Sequence, residues 1–279
     1  MPNDPIIEKT NSAQLVEDSE NSAGTTPVSF PAINQEDEAL IQEMIRAGLL
    51  YGKAKSKTHP RAKQFVFTTR NYIEIIDLVK TVEYLRKALD FLNGVAAKGG
   101  QILFVGTQPA AKASIVETAK NLNQLYVSTR WLGGTLTNFG TISKRIAYFK
   151  KLKEDQKSGA LDKYTKKERV DFNREISKLT LLFSGLESMN QLPDALLVIN
   201  SKLQDTAVRE AKRVKIPVVA LMSTDQNPDG IDYPIPGNDS APMSIKWVLA
   251  KVHESLKNVK PGVAPIPAKP NTANSDNLT

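Results

Sequence analysis

Cysteine is absent from this chain of 279 residues, and histidine occurs only as His59 and His253. Without cysteine there is no disulfide, thiolate nucleophile, zinc finger or cysteine-ligated cluster. Two histidines so far apart in sequence argue against a histidine metal site and most histidine general-base chemistry. No apolar run reaches the roughly 18 residues of a membrane span. No Ser-His-Asp set and no carboxylate pair marks a catalytic site. We therefore expect that the protein is not an enzyme and that it has no cofactor and no metal site.

The charge of the chain is unevenly distributed. The net charge is +7, but residues 1–38 contain eight acidic residues and a single lysine, so the remainder carries +14. A body this basic favours a polyanionic partner such as nucleic acid, because binding releases counterions. The alternative is a basic surface that serves only solubility.

Composition divides the chain into a body and two tails. Residues 1–38 lack periodicity and are rich in Asn, Ser, Thr, Glu and Pro, so we predict a disordered acidic tail. They have neither the basic start nor the apolar stretch of a signal peptide. Residues 257–279 contain four prolines among small residues and read as a flexible C-terminal tail. The folded domain is then predicted at residues 39–256.

Short apolar runs alternate with helical patterns through most of the body. This alternation predicts an α/β layered fold with a mainly parallel sheet. The closing helix is expected to be capped by Asn238, Asp239 or Ser240. Strands are predicted at 101–105, 125–127, 195–199, 217–221 and 233–235, and helices at 38–47, 81–97, 110–122, 206–213 and 240–256.

The start of the body has a different pattern. Residues 65–67 and 73–76 predict a β-hairpin around Thr69-Arg70-Asn71. Before it, residues 51–63 contain six basic residues, counting His59, and no acidic one. We interpret this segment as a basic loop.

Residues 138–189 interrupt the alternation, because nothing in them reads as a strand. Two apolar stripes at helical spacing, with a Thr165–Glu168 capping box before the second, predict an inserted pair of antiparallel helices forming a coiled-coil hairpin. The stripes are Ile142, Ile146, Phe149 and Leu152, then Phe172, Ile176, Leu179 and Phe183. Residues 138–180 hold twelve basic and six acidic residues. This arm either lies along RNA or reaches a protein neighbour, or its charges are simply solvated.

Two turns resemble ligand-binding motifs incompletely. The turn at Gly106 follows a strand and precedes a helix, where α/β folds bind phosphates, but the fingerprints of dinucleotide-binding and P-loop proteins are both missing. A tight strand-to-helix turn is the favoured interpretation. Residues 225–230 begin like a calcium loop, but its twelfth position is Pro236 where Glu is required. Here a simple turn is strongly favoured.

Residues 130–138, Arg-Trp-Leu-Gly-Gly-Thr-Leu-Thr-Asn, are the most unusual stretch. Such a turn can bring backbone N–H groups and small polar side chains close to a phosphate. Trp131 either stacks on a base or, the interpretation we favour, is buried and anchors the root of the helical arm.

These residues carry a family resemblance. The chain resembles the universal small-subunit ribosomal protein two (uS2) family in its bacterial form, over about residues 40–256. Five segments carry it, namely residues 47–52, 102–107, 130–138, 192–195, and 229–232 with 235–239. The resemblance implies a flavodoxin-like three-layer fold with an inserted coiled-coil hairpin. It also implies a non-enzymatic, cytoplasmic role in the small ribosomal subunit, in contact with its RNA, with neighbouring ribosomal proteins and with the large messenger-binding protein.

Two positions depart from the family pattern. Leu50 and Lys53 stand where the family usually has histidine, which puts any metal or hydrogen-bonding role of those histidines in doubt. Lys53 could contact phosphate instead.

The RNA-binding candidates are basic and small polar residues in three clusters. They are Lys53, Lys55, Lys57, Arg61, Lys63 and Arg70, then Arg130, Thr137 and Asn138, then Lys144 and Arg145. The alternatives are a small-molecule or phosphate-binding enzyme using the Gly106 turn, and a protein–protein adaptor using the helical arm.

Overall fold

The computed structural model describes residues 35–259 of the chain. The predicted tails lie outside these residues except at their inner ends, and the first helix begins three residues earlier than expected. The helices are α1 Gln35–Ala47, α2 Leu78–Ala97, α3 Pro109–Asn121, α4 Phe139–Lys157, α5 Lys166–Phe183, α6 Asp205–Arg213 and α7 Pro242–Lys257. The strands are β1 Tyr51–Ala54, β2 Val66–Arg70, β3 Ile73–Ile76, β4 Ile102–Val105, β5 Leu125–Val127, β6 Ala195–Ile199, β7 Val218–Met222 and β8 Tyr233–Pro236. No helix in this part of the chain is long and apolar enough to cross a membrane.

Five parallel strands form the larger sheet, in the order β5-β4-β6-β7-β8. Counted along the chain, this is the 2-1-3-4-5 order of flavodoxin-like folds, which confirms the expected fold class. Every residue of β4, β6 and β7 is buried. Their uninterrupted apolar sequences follow from this position, since a central parallel strand is covered on both faces.

Helices cover both faces of this sheet and complete the three layers. On one face, α2 stacks Phe91 on Tyr233 of β8 with ring centroids 4.3 Å apart, and Ser255 of α7 hydrogen-bonds Asn93 of α2 at 2.9 Å. On the other face, Leu103 and Leu196 share a core with residues of α4, α5 and α6. The inserted helices therefore bury their apolar stripes in a core that is continuous with the sheet.

The smaller sheet corrects two expectations. The predicted hairpin is present as β2 and β3, but Thr69 and Arg70 belong to β2, so the turn predicted at Thr69-Arg70-Asn71 lies instead at Asn71-Tyr72. Residues 51–63 are not one loop: β1 adds to the hairpin as a third antiparallel strand, and two 3-10 turns follow. The strand gives no local signal because its four residues, Tyr-Gly-Lys-Ala, have no apolar run and are not fully buried. A Cβ at Gly52 would come within 2.8 Å of the Thr224 methyl, so this strand lies tightly against the end of β7.

The insertion contains the two predicted helices, α4 and α5. The capping box is confirmed, with the Thr165 side chain accepting from the Glu168 N–H and the Glu168 carboxylate accepting from the Thr165 N–H at 2.9 Å. Side chains join the helices, as in the 2.8 Å bond from Gln156 to Asn173. Their predicted coiled-coil geometry stays a prediction.

The cap of α7 differs from expectation. The N-cap residue is Ala241, whose side chain cannot cap, and Pro242 occupies the first turn. Asn238 instead accepts hydrogen bonds from the Ser240 and Ala241 N–H groups at 3.0 and 3.3 Å. The polar residues therefore shape the turn before the helix, and proline suits the first turn because it needs no N–H partner there.

Gly185 fixes the end of α5 against the sheet. Its carbonyl accepts the Tyr126 N–H at 3.0 Å, and a Cβ at Gly185 would overlap the Tyr126 carbonyl oxygen. We expect Gly185→Ala to lower the free energy of unfolding by about 2 kcal/mol in urea titration, as overpacking does. Gly94→Ala is the control, because it lies inside α2 with open space around its Cβ. Equal free energies of unfolding for the two variants would contradict the close packing of Gly185 against Tyr126.

Candidate nucleic-acid interface

The chain's own polar groups fill the carboxyl edge of the parallel sheet. The Gln226 side-chain oxygen accepts from the Ser201 N–H at 2.8 Å and from its hydroxyl at 2.7 Å, and the Gln226 amide donates to the Asp239 carboxylate. Ligands of open α/β sheets bind at this edge. Here the groups that follow β6, β7 and β8 bind one another.

The two incomplete motifs are turns, as favoured. A Cβ at Gly106 would overlap the Ile115 side chain, and the Thr107 hydroxyl is engaged by Gln204 at 2.7 Å. Gly230 has φ +81°, and the Asp229 N–H donates to the Asn227 side chain at 3.0 Å. Within residues 35–259, no group of three or more acidic or histidine side chains is placed to hold a metal ion. Nothing here supports the enzyme alternative.

Lys53 is an internal counter-ion. Its ammonium lies 3.4 Å from Oδ1 of the fully buried Asp239 and also hydrogen-bonds Ser240. Burial raises the pKa of Asp239, and the nearby Asp225 charge adds to this. Lys53 and hydrogen bonds from Ser240 and Gln226 oppose the rise without cancelling it. The ammonium therefore partly offsets the cost of a buried charge.

The small sheet is attached to the carboxyl end of β7. The Thr224 hydroxyl accepts the Lys53 N–H at 2.9 Å, and the Thr224 carbonyl accepts the His59 N–H at 2.8 Å. The His59 side chain in turn caps the next 3-10 turn through the Arg61 N–H at 3.3 Å. The segment with the first basic cluster is thus fixed to Thr224 on both sides of the first 3-10 turn, at Lys53 of β1 and at His59.

Most of that cluster faces solvent. Lys55 and Lys57 lie on the first 3-10 turn, Lys63 on the second, and Arg70 at the end of β2. All four are exposed, and none has an ion-pair partner among residues 35–259. Arg61 differs, since it pairs with Asp229.

Glu210 of α6 holds the Arg130–Asn138 loop. Its Oε1 accepts the Trp131 indole N–H at 3.0 Å and the Gly134 N–H at 2.8 Å. Its Oε2 accepts the Leu136 N–H at 3.0 Å, and the N–H and hydroxyl of Thr137 at 3.3 Å each. One largely buried carboxylate therefore organises the whole turn.

This clamp corrects the expectation that the loop's N–H groups face a phosphate, because an internal anion already uses them. Burial raises the pKa of Glu210, but hydrogen bonds from Trp131, Gly134, Leu136 and Thr137 together outweigh it, so the pKa lies below its usual value. Trp131 packs on the core, as expected of an anchor, but it is half-buried and not buried as predicted.

The remaining candidates lie at the root of the helical arm. Arg130, Asn138, Lys144 and Arg145 are exposed. Asn138 accepts the Thr141 hydroxyl at 3.0 Å and so also supports the first turn of α4. Arg145 lines a groove of mixed charge between α4 and α5, together with Arg174, Lys178, Asp171 and Glu175.

A neighbouring basic cleft escaped the sequence reasoning. It has a volume of about 420 Å³ and lies between the clamped loop and α6, lined by Thr137, Thr206, Arg209, Glu210 and Arg213. The only indication of this cleft in the sequence was the spacing of Arg209 and Arg213, four residues apart on a predicted helix. Glu210 was the larger omission, because an isolated glutamate in a charged helix gives no sign of its partners.

Comparison with known proteins agrees with this architecture. The family model of ribosomal protein S2 matches residues 44–258. Small ribosomal subunit protein uS2c of Cyanophora paradoxa is 40% identical over 216 residues, which cover 77% of this chain and 93% of the relative. The uS2 protein of Dehalococcoides mccartyi strain 195 is 41% identical, with 77% and 88% covered, and that of Salinispora arenicola 43%, with 77% and 79% covered.

The fold defines a flavodoxin-like α/β protein that carries basic segments at the carboxyl edge of its parallel sheet. The chain belongs to the ribosomal protein S2 family.

Removing the Glu210 charge should destabilise the fold. Glu210→Gln places an amide donor against N–H donors, so we expect a loss of about 2 kcal/mol at pH 7. The pKa of Glu210 is lower in the folded protein than in the unfolded chain, where it is about 4.3, so the ionised carboxylate stabilises the fold above that pH. This stabilisation disappears as the pH falls through the folded-state pKa. Urea titrations from pH 7 into acid should therefore show the variant approaching wild type. Glu117→Gln, exposed on α3, is the control; a pH-independent deficit would contradict the clamp.

The Lys53–Asp239 pair can be tested by a double-mutant cycle. Lys53→Met leaves a buried carboxylate without its cation and should cost about 2 kcal/mol at neutral pH. The raised pKa of Asp239 should rise further, so the deficit shrinks as the pH falls and the carboxylate is protonated. Adding Asp239→Asn to Lys53→Met should recover most of the loss in urea titration. Additive losses would show that the two residues are not coupled.

Proposed function

We propose that this protein is a structural constituent of the small ribosomal subunit. The observation that carries the proposal is the attachment of both basic regions to segments leaving one edge of the sheet: the small sheet at Thr224 after β7, and the clamped loop after β5. Membership of the ribosomal protein S2 family supports it, as do relatives named small ribosomal subunit proteins.

Its mechanism is electrostatic docking onto folded RNA. Lys55, Lys57, Lys63 and Arg70 are exposed and have no ion-pair partner within residues 35–259, so they are free to neutralise phosphates. Arg130, Lys144 and Arg145 are exposed at the root of the arm and add a second group of cations. Lys53 and Arg61 contribute less, because they already pair with Asp239 and Asp229. Contacts with RNA phosphates fix the position and orientation of the protein on the RNA and do not read its base sequence.

The partners follow from that role. They are small-subunit ribosomal RNA and neighbouring ribosomal proteins, including the large messenger-binding protein. We place the protein in the cytoplasm on the ribosome, with no enzymatic activity of its own. Its polar edge groups stabilise the fold, which is consistent with a role in assembly and not in catalysis.

Charge reversal tests the basic turn, the first 3-10 turn, which carries Lys55 and Lys57. Lys55→Glu with Lys57→Glu should weaken association with small subunits at moderate salt, and raised salt should narrow the difference, because salt weakens the phosphate contacts that the wild type makes and the variant has lost. The measurement is occupancy of the subunit peak in sucrose gradients of cell lysate at moderate and high salt. Lys112→Glu with Lys120→Glu, exposed on α3, is the matched control.

Two outcomes would count against these assignments. Equal occupancy of both double variants at every salt concentration would exclude the basic turn as a contact. Migration of the wild-type protein only at the top of the gradient would refute the ribosomal role itself.

A further inference from the structure

The tip of the small sheet is a two-residue turn of unusual composition. Arg70 and Ile73 are paired at the end of the β2–β3 hairpin, which leaves Asn71 and Tyr72 as the connection. Their φ angles are +49° and +62°. Positive φ at both central positions identifies a type I′ turn, the form whose twist matches a two-residue hairpin.

Tyrosine is a poor choice for this turn. Asparagine tolerates the first position, but the second is normally glycine, because a Cβ is strained in the left-handed region. The chain therefore keeps a large aromatic residue where backbone geometry disfavours any side chain. Strained residues of this kind cluster at functional sites.

Packing does not explain the tyrosine. Tyr72 is 86% exposed, the largest value among the exposed large hydrophobic residues within 35–259. No hydrogen bond, ring contact or cation contact joins its ring to another residue of that part of the chain. The ring therefore contributes little to the stability of the folded chain.

The surroundings of the ring are positively charged. Arg70 precedes the turn, and the Lys55 N–H donates to the Tyr72 carbonyl at 2.9 Å, which brings the first basic turn to the tip. The nearest acidic residue of the hairpin, Glu74, is buried and accepts the Thr58 and Thr69 hydroxyls at 3.3 and 2.8 Å. An aromatic ring amid exposed cations suits a nucleic acid better than an apolar protein surface.

We propose that Tyr72 is a stacking residue whose ring packs on an unpaired base of small-subunit ribosomal RNA. The inference rests on the proposed function, since it adds a base contact to a surface that otherwise binds phosphates. Arg70 and Lys55 hold the backbone of the same nucleotides, and the strained turn keeps the ring pointing away from the sheet.

Tyr72→Gly separates binding from folding. Glycine relieves the strain, so the midpoint of thermal unfolding should be no lower than that of the wild type. Affinity of the full-length chain for small subunits stripped of this protein by high salt should fall roughly 5- to 150-fold, the range that follows from losing one stacked base. Its salt dependence should stay unchanged, because no phosphate contact is removed. Tyr72→Phe, which keeps the ring, should bind like wild type.

Ultraviolet cross-linking identifies the partner. Trypsin cleavage after Arg70 and Lys80 yields a peptide of residues 71–80 whose only aromatic residue is Tyr72. A nucleotide adduct on this peptide, absent from Tyr72→Gly, supports the proposal. An adduct to a ribosomal protein alone, or equal rebinding of Tyr72→Gly and wild type, overturns it. Failure of the wild-type chain to rebind would instead refute the proposed ribosomal function.

Discussion

One buried carboxylate decides where the inserted helices begin. Glu210 is carried by α6, which packs on the sheet, and it collects N–H groups from a loop about 75 residues earlier in the chain. Only an ionised carboxylate offers enough acceptor sites for this set of donors. Gly134, with φ +89°, turns the backbone so that donors on both sides converge on it. Phe139 begins α4 directly afterwards, so the direction of the arm follows from this contact.

The carboxyl edge of the sheet shows how a ligand-binding architecture can be adapted to assembly. In flavodoxin-like folds the switch point of the sheet leaves an open crevice. Here Thr107 and Gln204 bond across it, and Gln226 links Ser201 to Asp239 beside it. The crevice is thereby converted into a rigid platform. The parts that reach outward, the small sheet and the clamped loop, are built onto that platform.

Local patterns predicted most of the framework. The buried strands β4, β6 and β7 were recognised because continuous apolar runs have few other uses, and the α5 capping box because it is a short-range signal. Strand β1 was missed because its sequence, Tyr-Gly-Lys-Ala, has no apolar run and the strand is only partly buried. The roles of Glu210 and Lys53 were missed because a charged side chain carries no sequence mark of its partners, which lie far along the chain.

In the candidate site, too, the features that depend on composition were predicted and those that depend on distant partners were not. The basic clusters were visible as composition, and the structure finds Lys55, Lys57, Lys63 and Arg70 exposed. Composition could not separate these from Lys53 and Arg61, which are bound to carboxylates far along the chain. It also could not show that the loop's N–H groups were occupied, because that depends on a residue in another element.

The contacts of the small sheet have a consequence for biosynthesis. Lys53 and His59 are anchored by Thr224, and Lys53 also by Asp239, so this surface joins residues separated by more than 160 positions. Chains emerge from the N-terminus, and contacts of such long range form late. The basic turn is therefore synthesised early but is fixed in position only after β7 and the turn before α7 have emerged. A nascent chain that stops short of residue 224 carries the lysines without the Thr224 and Asp239 contacts that fix them, so the proposed RNA-binding surface is complete only after residue 239 has emerged.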